Sequence, residues 1–393
     1  MSVRRATVKR SFSLANPASR AMLYQLLAVI GIVAGLGWII HNTVVNLANR
    51  GITSGFAFLD RGAGFGIVQH LIDYSQGDTY LRVFVIGLLN TLLVSALCIL
   101  FASVLGLVIG LARLSDNWLL RKLSTTYIEI FRNIPPLLQI FFWYFAVLRN
   151  LPGPRQAVDA LGLAFLSNRG LYIPWPQPGI GLLAFVVALA LALAGAIAIR
   201  HRNKRIQQLN GQQKRSWPAT LALFIGLPLL AYIFIGPAVV WDIPVLQGFN
   251  YRGGFALIPE LAALTLALSV YTSAFIAEII RAGIQSVPEG QREAARSLGI
   301  PSPVALRKVI LPQALRVIIP PLTSQYLNIV KNSSLAAAIG YPDMVSLFAG
   351  TVLNQTGQAI ETIAMTMSVY LLISLAISLL MNLYNRRITL VER

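Results

Sequence analysis

The sequence predicts an all-α integral membrane protein with about eight transmembrane helices. Apolar residues make up 56% of its 393 residues and charged residues only 12%, which is roughly half the charged share of a soluble globular protein. Such a composition leaves too little polar surface to keep a chain of this length in solution. The sequence also contains several apolar runs of at least about 18 residues, the length that an α-helix needs to cross the hydrocarbon core.

Hydropathy places the candidate spans. Their approximate bounds are 22–45, 84–112, 126–148, 179–199, 217–240, 257–282, 313–338 and 362–384. A basic head precedes the first span, so a cleaved signal peptide is an alternative for it. However, the apolar part exceeds the roughly 7–15 residues of a signal peptide, and no small-residue cleavage site follows. We therefore expect a retained helix.

The distribution of Lys and Arg predicts the topology. The net charge is +18, but the basic residues lie in short runs between apolar segments, which argues against a nucleic-acid-binding protein. If the amino terminus is cytoplasmic, 23 of the 32 Lys and Arg fall in cytoplasmic segments and 7 in external ones. This is the bias of the positive-inside rule. We expect both termini in the cytoplasm, loop 149–178 outside, and the basic run 200–205 at the lipid surface.

The loop between the sixth and seventh spans is the most informative segment. Residues 289–298 are good helix formers that follow Pro288, Gly299 is a plausible C-terminal cap, and Pro301 prevents the helix from continuing. The segment therefore predicts a compact cytoplasmic projection; an amphipathic helix lying on the membrane is the alternative. The dipeptide Gly-Lys of a Walker phosphate-binding loop occurs nowhere in the sequence. If ATP drives this protein, another chain must hydrolyse it.

This segment also carries a family resemblance. Glu293-Ala294-Ala295, followed by Gly299 and then Leu311-Pro312, resembles the signature of permease subunits of ABC importers, with Val309 where the family has Ile. Segments 127–135, 278–288 and 331–335 resemble the polar amino-acid permeases within that superfamily. The usual Ala-Tyr pair of the sixth span is Ala274-Phe275 here, which removes a hydroxyl group.

The resemblance implies a type I importer permease core of five helices, with three extra helices. It covers residues 84–148 and 257–385, and the enlarged layout looks like the subunits of general L-amino-acid importers. The corresponding domain divisions are a basic head, extra helix and periplasmic loop at 1–83, the first part of the core at 84–148, an inserted loop and helix pair at 149–256, and the second part of the core at 257–393, with a coupling loop at 285–312.

The resemblance further implies a transport subunit rather than an enzyme. Its partners would be an ABC ATPase dimer that holds ATP and magnesium, a second permease subunit that is similar but distinct, a periplasmic amino-acid-binding protein and membrane lipids. No cofactor or metal is expected in this chain, and its location would be the bacterial inner membrane. An ion-coupled secondary amino-acid transporter is the alternative function, although the paired inverted repeats of such proteins are not visible.

Candidate site residues follow from the signature and from ionisable groups inside spans, which are costly and therefore functional candidates. The coupling contact with the ATPase is assigned to Glu293, Ala294, Ala295, Gly299, Leu311 and Pro312. The substrate-pathway candidates are Lys331, Asn328, Ser333, Ser334 and Glu278. The candidates for either a gate or a structural ion pair are Glu129, Arg132 and Arg281. Glu278 and Arg281, like Glu129 and Arg132, have the i, i+3 spacing of an intrahelical pair, and Lys331 could instead pair with a carbonyl or carboxylate in the bundle.

Overall fold

The computed structural model describes residues 17–49, 55–160, 162–177, 179–211, 215–235 and 240–388. The basic head that precedes the first helix, and with it most of the amino-terminal charge used to predict the topology, lies outside the described residues. Among the described residues, six helices are long and apolar enough to cross a membrane. These six correspond to the first, second, fourth, fifth, sixth and eighth predicted spans.

The chain forms twelve α-helices within the described residues. They are α1 (Pro17–Asn49), α2 (Tyr80–Arg113), α3 (Trp118–Asn133), α4 (Pro136–Phe141), α5 (Ile180–Asn210), α6 (Trp217–Ile235), α7 (Pro259–Gln285), α8 (Glu289–Ser297), α9 (Ser302–Ala305), α10 (Leu311–Asn332), α11 (Leu353–Thr356) and α12 (Ala359–Ile388). Short π-helical or 3-10 helical segments extend several of them. Residues 142–147, 306–310 and 345–352 are π-helical, and residues 148–150 and 333–339 form 3-10 helix.

The prediction of one continuous span over 126–148 was wrong. Helix α3 ends at Asn133, and Ile134 adopts an extended conformation with φ −94° and ψ 125°. Pro135 is the physical reason, because the proline ring disfavours the α conformation in the residue before it. Pro136 then begins α4. In contrast, α10 continues through Pro320 and Pro321, but it is too polar to count among the six apolar helices.

Helix α7 is the centre of the helical core. It packs against α2, α3, α4 and α10, and α12 packs against α10. Most of the apolar positions of α7 are buried, including Leu264 and Leu268. By contrast, the extra helix α1 has no buried residue in its most apolar stretch, and α5 and α6 pack chiefly on each other. The extra helices therefore present apolar side chains outward, as lipid-facing helices do.

Short strands join the two long loops that flank the helix pair α5–α6, and the sequence did not predict them. One antiparallel sheet has the order β1-β2-β3-β8, and two strand pairs, β4–β5 and β6–β7, accompany it. The strands are β1 (Val158–Ala160), β2 (Ala164–Ser167), β3 (Gly170–Ile173), β4 (Trp175–Pro176), β5 (Trp241–Asp242), β6 (Val245–Gln247), β7 (Asn250–Arg252) and β8 (Phe255–Leu257). Because β8 leads directly into α7, the sheet ties the inserted region to the core.

Candidate functional site

The coupling segment, residues 285–312, projects from the end of α7 as a short capped helix. Pro288 precedes α8, and the chain leaves the helix through Gly299 in the left-handed conformation, with φ 68°. The Gly299 N–H donates to the Arg296 carbonyl at 2.9 Å, and the Ile300 N–H donates to the Ala295 carbonyl at 3.0 Å. These bonds satisfy carbonyls that a helix end otherwise leaves unpaired, so the projection is rigid.

The signature residues divide between the two faces of this projection. Glu293, Ala294 and Gly299 are exposed, whereas Ala295 is only 3% exposed and packs inward. Sequence reasoning missed Leu298, whose side chain is 77% exposed at the tip. Leu311 and Pro312 are exposed at the start of α10. The outer face of α8 therefore combines a carboxylate, a small side chain and an apolar tip, a composition suited to contact with another protein.

An apolar cavity of about 640 Å³ lies beside the base of the coupling segment. It is bounded by Leu111 and Leu114 at the end of α2, by Ile284 on α7, and by Ile300 and Leu306 on the coupling segment itself. The segment thus adjoins the ends of two core helices, so a displacement of α8 would be transmitted to both.

Glu278 joins α7 to α2 through arginine. Its carboxylate forms an ion pair with Arg113 at the last turn of α2 and a second with Arg281, whose Nη2 lies 2.5 Å from Oε1. Arg281 also donates to Gln285. The intrahelical pair predicted from the i, i+3 spacing is therefore present. The interhelical pair with Arg113 was not predicted, because nothing in a single sequence shows which loop-end arginine lies opposite Glu278.

The ion pair predicted between Glu129 and Arg132 is not formed, although both residues lie in the described part of the chain. Instead, the Arg132 guanidinium carbon lies 5.0 Å from the centre of the Phe275 ring, which is a cation–π contact. Glu129, Arg132, Glu278 and Phe275 line one cavity of about 350 Å³. The structure thus brings the gate candidates Glu129 and Arg132 of α3 to the pathway candidate Glu278 of α7, whereas the third gate candidate, Arg281, does not line this cavity.

Lys331 and Asn328 lie on the same exposed face of α10, one turn apart. Within the described chain no carboxylate lies within 4 Å of Lys331, so the structural alternative of an internal ion pair is not realised. Ser334 donates its hydroxyl to the Lys331 carbonyl at 2.6 Å. Ser333 is buried instead, and its hydroxyl donates to the Val330 carbonyl at 2.8 Å. Ser333 therefore does not share the Lys331 face, contrary to expectation.

A buried polar cluster escaped sequence reasoning. Asp343, in the turn before residues 345–352, is fully buried; it accepts hydrogen bonds from the Ser346 N–H and from the Tyr370 hydroxyl, both at 2.9 Å. Burial raises the pKa of the Asp343 carboxyl to about 6, and these hydrogen bonds act in the opposite direction. Thr91 of α2 accepts from the Met344 N–H at 3.0 Å. An Asp in an otherwise apolar stretch was the signal that could have identified this cluster.

Comparison with known proteins identifies relatives over the full length of the chain. The family model described as "Binding-protein-dependent transport system inner membrane component" matches residues 218–390. The chain is 77% identical over 393 residues to the putative amino-acid ABC transporter permease protein YhdX of Escherichia coli (strain K12), covering 100% of both chains. It is 48% identical over 378 residues, 96% of this chain and 94% of the relative, to the general L-amino acid transport system permease protein AapQ of Rhizobium johnstonii. It is also 39% identical over 406 residues, 95% of each chain, to the glutamate/glutamine/aspartate/asparagine transport system permease protein BztB of Rhodobacter capsulatus.

Proposed function

Because the chain belongs to the family of amino-acid ABC transporter permeases, we propose that it carries a broad range of L-amino acids from the periplasm to the cytoplasm. The general L-amino-acid permease AapQ, which it matches over almost its whole length, supports this substrate range. The energy would come from a separate ATPase dimer that binds ATP and magnesium.

The coupling segment is the observation that carries this proposal. A short helix that is rigidly capped at Gly299 and presents Glu293 and the apolar Leu298 outward is suited to insertion into a groove on another protein. Ala294 leaves space for close approach on the same face. Closure of the ATPase dimer on ATP would push α8, and the attached ends of α7 and α10 would rock with it, which is rigid-body alternating access.

The exposed face of α10 supports a pathway between two permease subunits. Asn328 and Lys331 are polar and lie in a helix of the core, and within the described chain no carboxylate lies within 4 Å of Lys331. A lysine left facing lipid would be costly, so we place this face against a second permease, similar to but distinct from this chain. A periplasmic amino-acid-binding protein would deliver the substrate to this pathway.

A topology follows from the proposed arrangement. The chain would lie in the bacterial inner membrane with both termini in the cytoplasm, and with residues 84–148 and 257–393 as the two parts of the permease core. Residues 1–83 and 149–256 would contribute the three extra helices and the periplasmic loops. The exposed apolar surfaces of α1, α5 and α6 are consistent with contact with membrane lipids.

Co-purification and reconstitution test this function. The tagged permease, extracted in mild detergent, should bring down an ABC ATPase. Liposomes containing the purified assembly and a loaded binding protein should accumulate radiolabelled acidic, neutral and basic amino acids with ATP. A non-hydrolysable ATP analogue is the control and should give no uptake. Uptake by the permease alone, driven by a proton or sodium gradient without ATP, would overturn the proposal in favour of the ion-coupled alternative.

A further inference from the structure

A charged cavity lies at the end of α7 opposite the coupling segment. It encloses about 380 Å³, and we call it the outer cavity; the side chains that matter for its chemistry are Arg149, Arg169, Glu260, Asn168 and Tyr172. Glu260 and Glu278 are 18 residues apart on α7, which at 1.5 Å per residue places them about 27 Å apart along the helix. The outer cavity is therefore remote from the charged cluster around Glu278.

Four segments of the chain build the outer cavity, within residues 65–68, 149–172, 250–260 and 340–351. The small sheet covers one side: the Tyr172 hydroxyl on β3 donates to the Asn250 side-chain oxygen at 3.0 Å, which joins the sheet to the β6–β7 hairpin. Pro259 and Glu260 in the first turn of α7 form a second side. Arg149, residues 65–68 and the segment from Gly340 to Thr351 also contribute to the lining. The sheet and hairpin arise from the loops that flank the inserted helix pair, so the insertion itself supplies part of the cavity.

Among the described residues, the charged side chains of the outer cavity form no ion pair within 4 Å. Arg149 instead contacts the Tyr144 ring, with its guanidinium carbon 5.7 Å from the ring centre. No carboxylate lies within 4 Å of the Arg149 or Arg169 guanidinium groups in the described part of the chain. Glu260 accepts a hydrogen bond from the Tyr144 hydroxyl at 2.8 Å, but among the described residues no Lys or Arg nitrogen lies within 4 Å of it.

We propose that the outer cavity binds the charged head of an amino acid before it enters the pathway. The guanidinium groups of Arg149 and Arg169 would hold the α-carboxylate through charge-assisted hydrogen bonds. The ammonium group would donate to Glu260. This inference rests on the proposed function for the class of substrate.

The charge of the lining also indicates a preference. Two cations and one anion leave one positive charge in excess after a zwitterion is bound. An amino acid with an acidic side chain neutralises that excess, whereas a basic side chain adds to it. We therefore expect glutamate to bind most tightly, glutamine less tightly and lysine least.

Direct binding tests the proposal. The purified permease–ATPase complex in detergent, without binding protein, is titrated with radiolabelled glutamate. Arg169→Gln and Glu260→Gln should each weaken binding by about tenfold or more, the loss expected for one charge-assisted hydrogen bond. Arg155→Gln is the matched control, since Arg155 belongs to the same loop but stacks over Phe249 outside the cavity and should leave the affinity unchanged. Arg169→Lys keeps the charge and should retain part of the binding, even if the Gln variant assembles poorly.

Three results would overturn the outer cavity as an amino-acid site. One is that the wild-type complex does not bind glutamate, or that all variants bind it equally. The proposed function would still stand in that case if the full assembly imports amino acids. Another is loss of binding in Lys331→Met but not in the cavity variants, which would place the site on α10. The third concerns the cavity variants: they bind glutamate as the wild type does but need a higher concentration of binding protein for half-maximal stimulation of the ATPase. That result would make the charged lining a docking surface for the binding protein.

Discussion

Gly106 of α2 lies directly against Ile276 of α7: a β-carbon on the glycine would be 2.7 Å from the Cβ of the isoleucine. One turn further along α2, a β-carbon on Gly110 would be 2.8 Å from the Ala277 carbonyl oxygen. The two glycines are spaced as Gly-x-x-x-Gly, the pattern that lets two membrane helices approach closely. The absence of side chains at these positions therefore sets the distance between α2 and α7.

The first prediction is that Gly106→Val destabilises the permease, because a branched side chain would force α2 and α7 apart at a cost of about 1–3 kcal/mol or more. The apparent melting temperature of the detergent-solubilised protein, measured by size-exclusion chromatography after heating, should fall. Gly226→Val in α6 is the control, since no atom lies within 4 Å of a β-carbon there. Equal melting temperatures for the two variants would contradict the close-packing interpretation.

Hydropathy and local motifs predicted much of this fold because their causes are local. The spans that became α2, α7 and α12 are long apolar runs, and the cap at Gly299 depends on a few adjacent residues. The Gly106–Gly110 spacing is an equally local signal, but the sequence alone does not show which helix lies against it. The break at Ile134 was also readable from Pro135, but the apolar character of the surrounding segment outweighed it.

What escaped prediction depends on contacts between distant parts of the chain. Strand β3 pairs with β8 across an inserted helix pair, with Tyr172 opposite Ala256; strands this short carry no clear periodic signal in the sequence. The i, i+3 spacing suggested two ion pairs, but only Glu278 forms one, because Phe275 attracts Arg132 instead. The outer cavity likewise combines residues from four separate segments, so no single stretch of sequence could indicate it.

The second prediction concerns the coupling segment. Gly299→Asp and Glu293→Arg should abolish the stimulation of ATP hydrolysis by loaded binding protein, because each places an unmatched charge at a contact that excludes water. Gly299→Asn is the matched control. Asn tolerates the left-handed conformation at least as well as Asp and carries no charge, so it should keep part of the stimulation. Full stimulation in both charged variants would show that α8 does not contact the ATPase.

The third prediction is that the two ends of the inserted helix pair lie on opposite sides of the membrane. Leu209, near the end of α5, and Phe249, between β6 and β7, are 82% and 81% exposed. In a Cys98→Ser background, where the buried native thiol is absent, only a cysteine at position 249 should react with an impermeant maleimide on spheroplasts. Both should react after the membrane is permeabilised. Labelling of position 209 alone on intact spheroplasts would invert the topology.

The fourth prediction is a pH-dependent effect of Asp343. Because burial raises the pKa of its carboxyl from 3.8 to about 6, the folded protein binds this proton more tightly than the unfolded chain. The contribution of Asp343 to the free energy of unfolding is therefore fully present below the unfolded pKa and is lost as the pH rises through about 6. Above about pH 6, the ionised carboxylate lowers the free energy of unfolding by about 3 kcal/mol.

Asp343→Asn should remove this dependence, because the amide keeps the size of the side chain and can still accept from the Ser346 N–H. The variant should melt at a higher temperature than the wild type at about pH 7.5, and the difference should vanish near about pH 4. The melting temperatures of both proteins are measured across this pH range. Because the two proteins share all other titrating groups, the difference between them isolates Asp343. A difference in melting temperature that does not change with pH would contradict it.

The fifth prediction concerns Lys331, whose charge on the exposed face of α10 has no partner in the described chain. Every zwitterionic amino acid carries an α-carboxylate. A broad-range pathway therefore needs a cation that binds this carboxylate whatever the side chain is. Lys331 supplies the cation, with Asn328 beside it. Lys331→Met keeps most of the volume of the lysine stem. Uptake of acidic, neutral and basic amino acids should fall together, with assembly and basal ATP hydrolysis intact.

Lys122→Met is the control for Lys331→Met, because Lys122 is also exposed but lies near the start of α3, away from the α10 face. It should leave uptake of all three classes unchanged. Wild-type uptake by a normally assembled Lys331→Met variant would refute a role for this lysine in the pathway. Failure of that variant to assemble with the second permease would instead indicate that Lys331 contacts that subunit. Its partner would then lie on the second permease, because the described chain holds no carboxylate within 4 Å of Lys331.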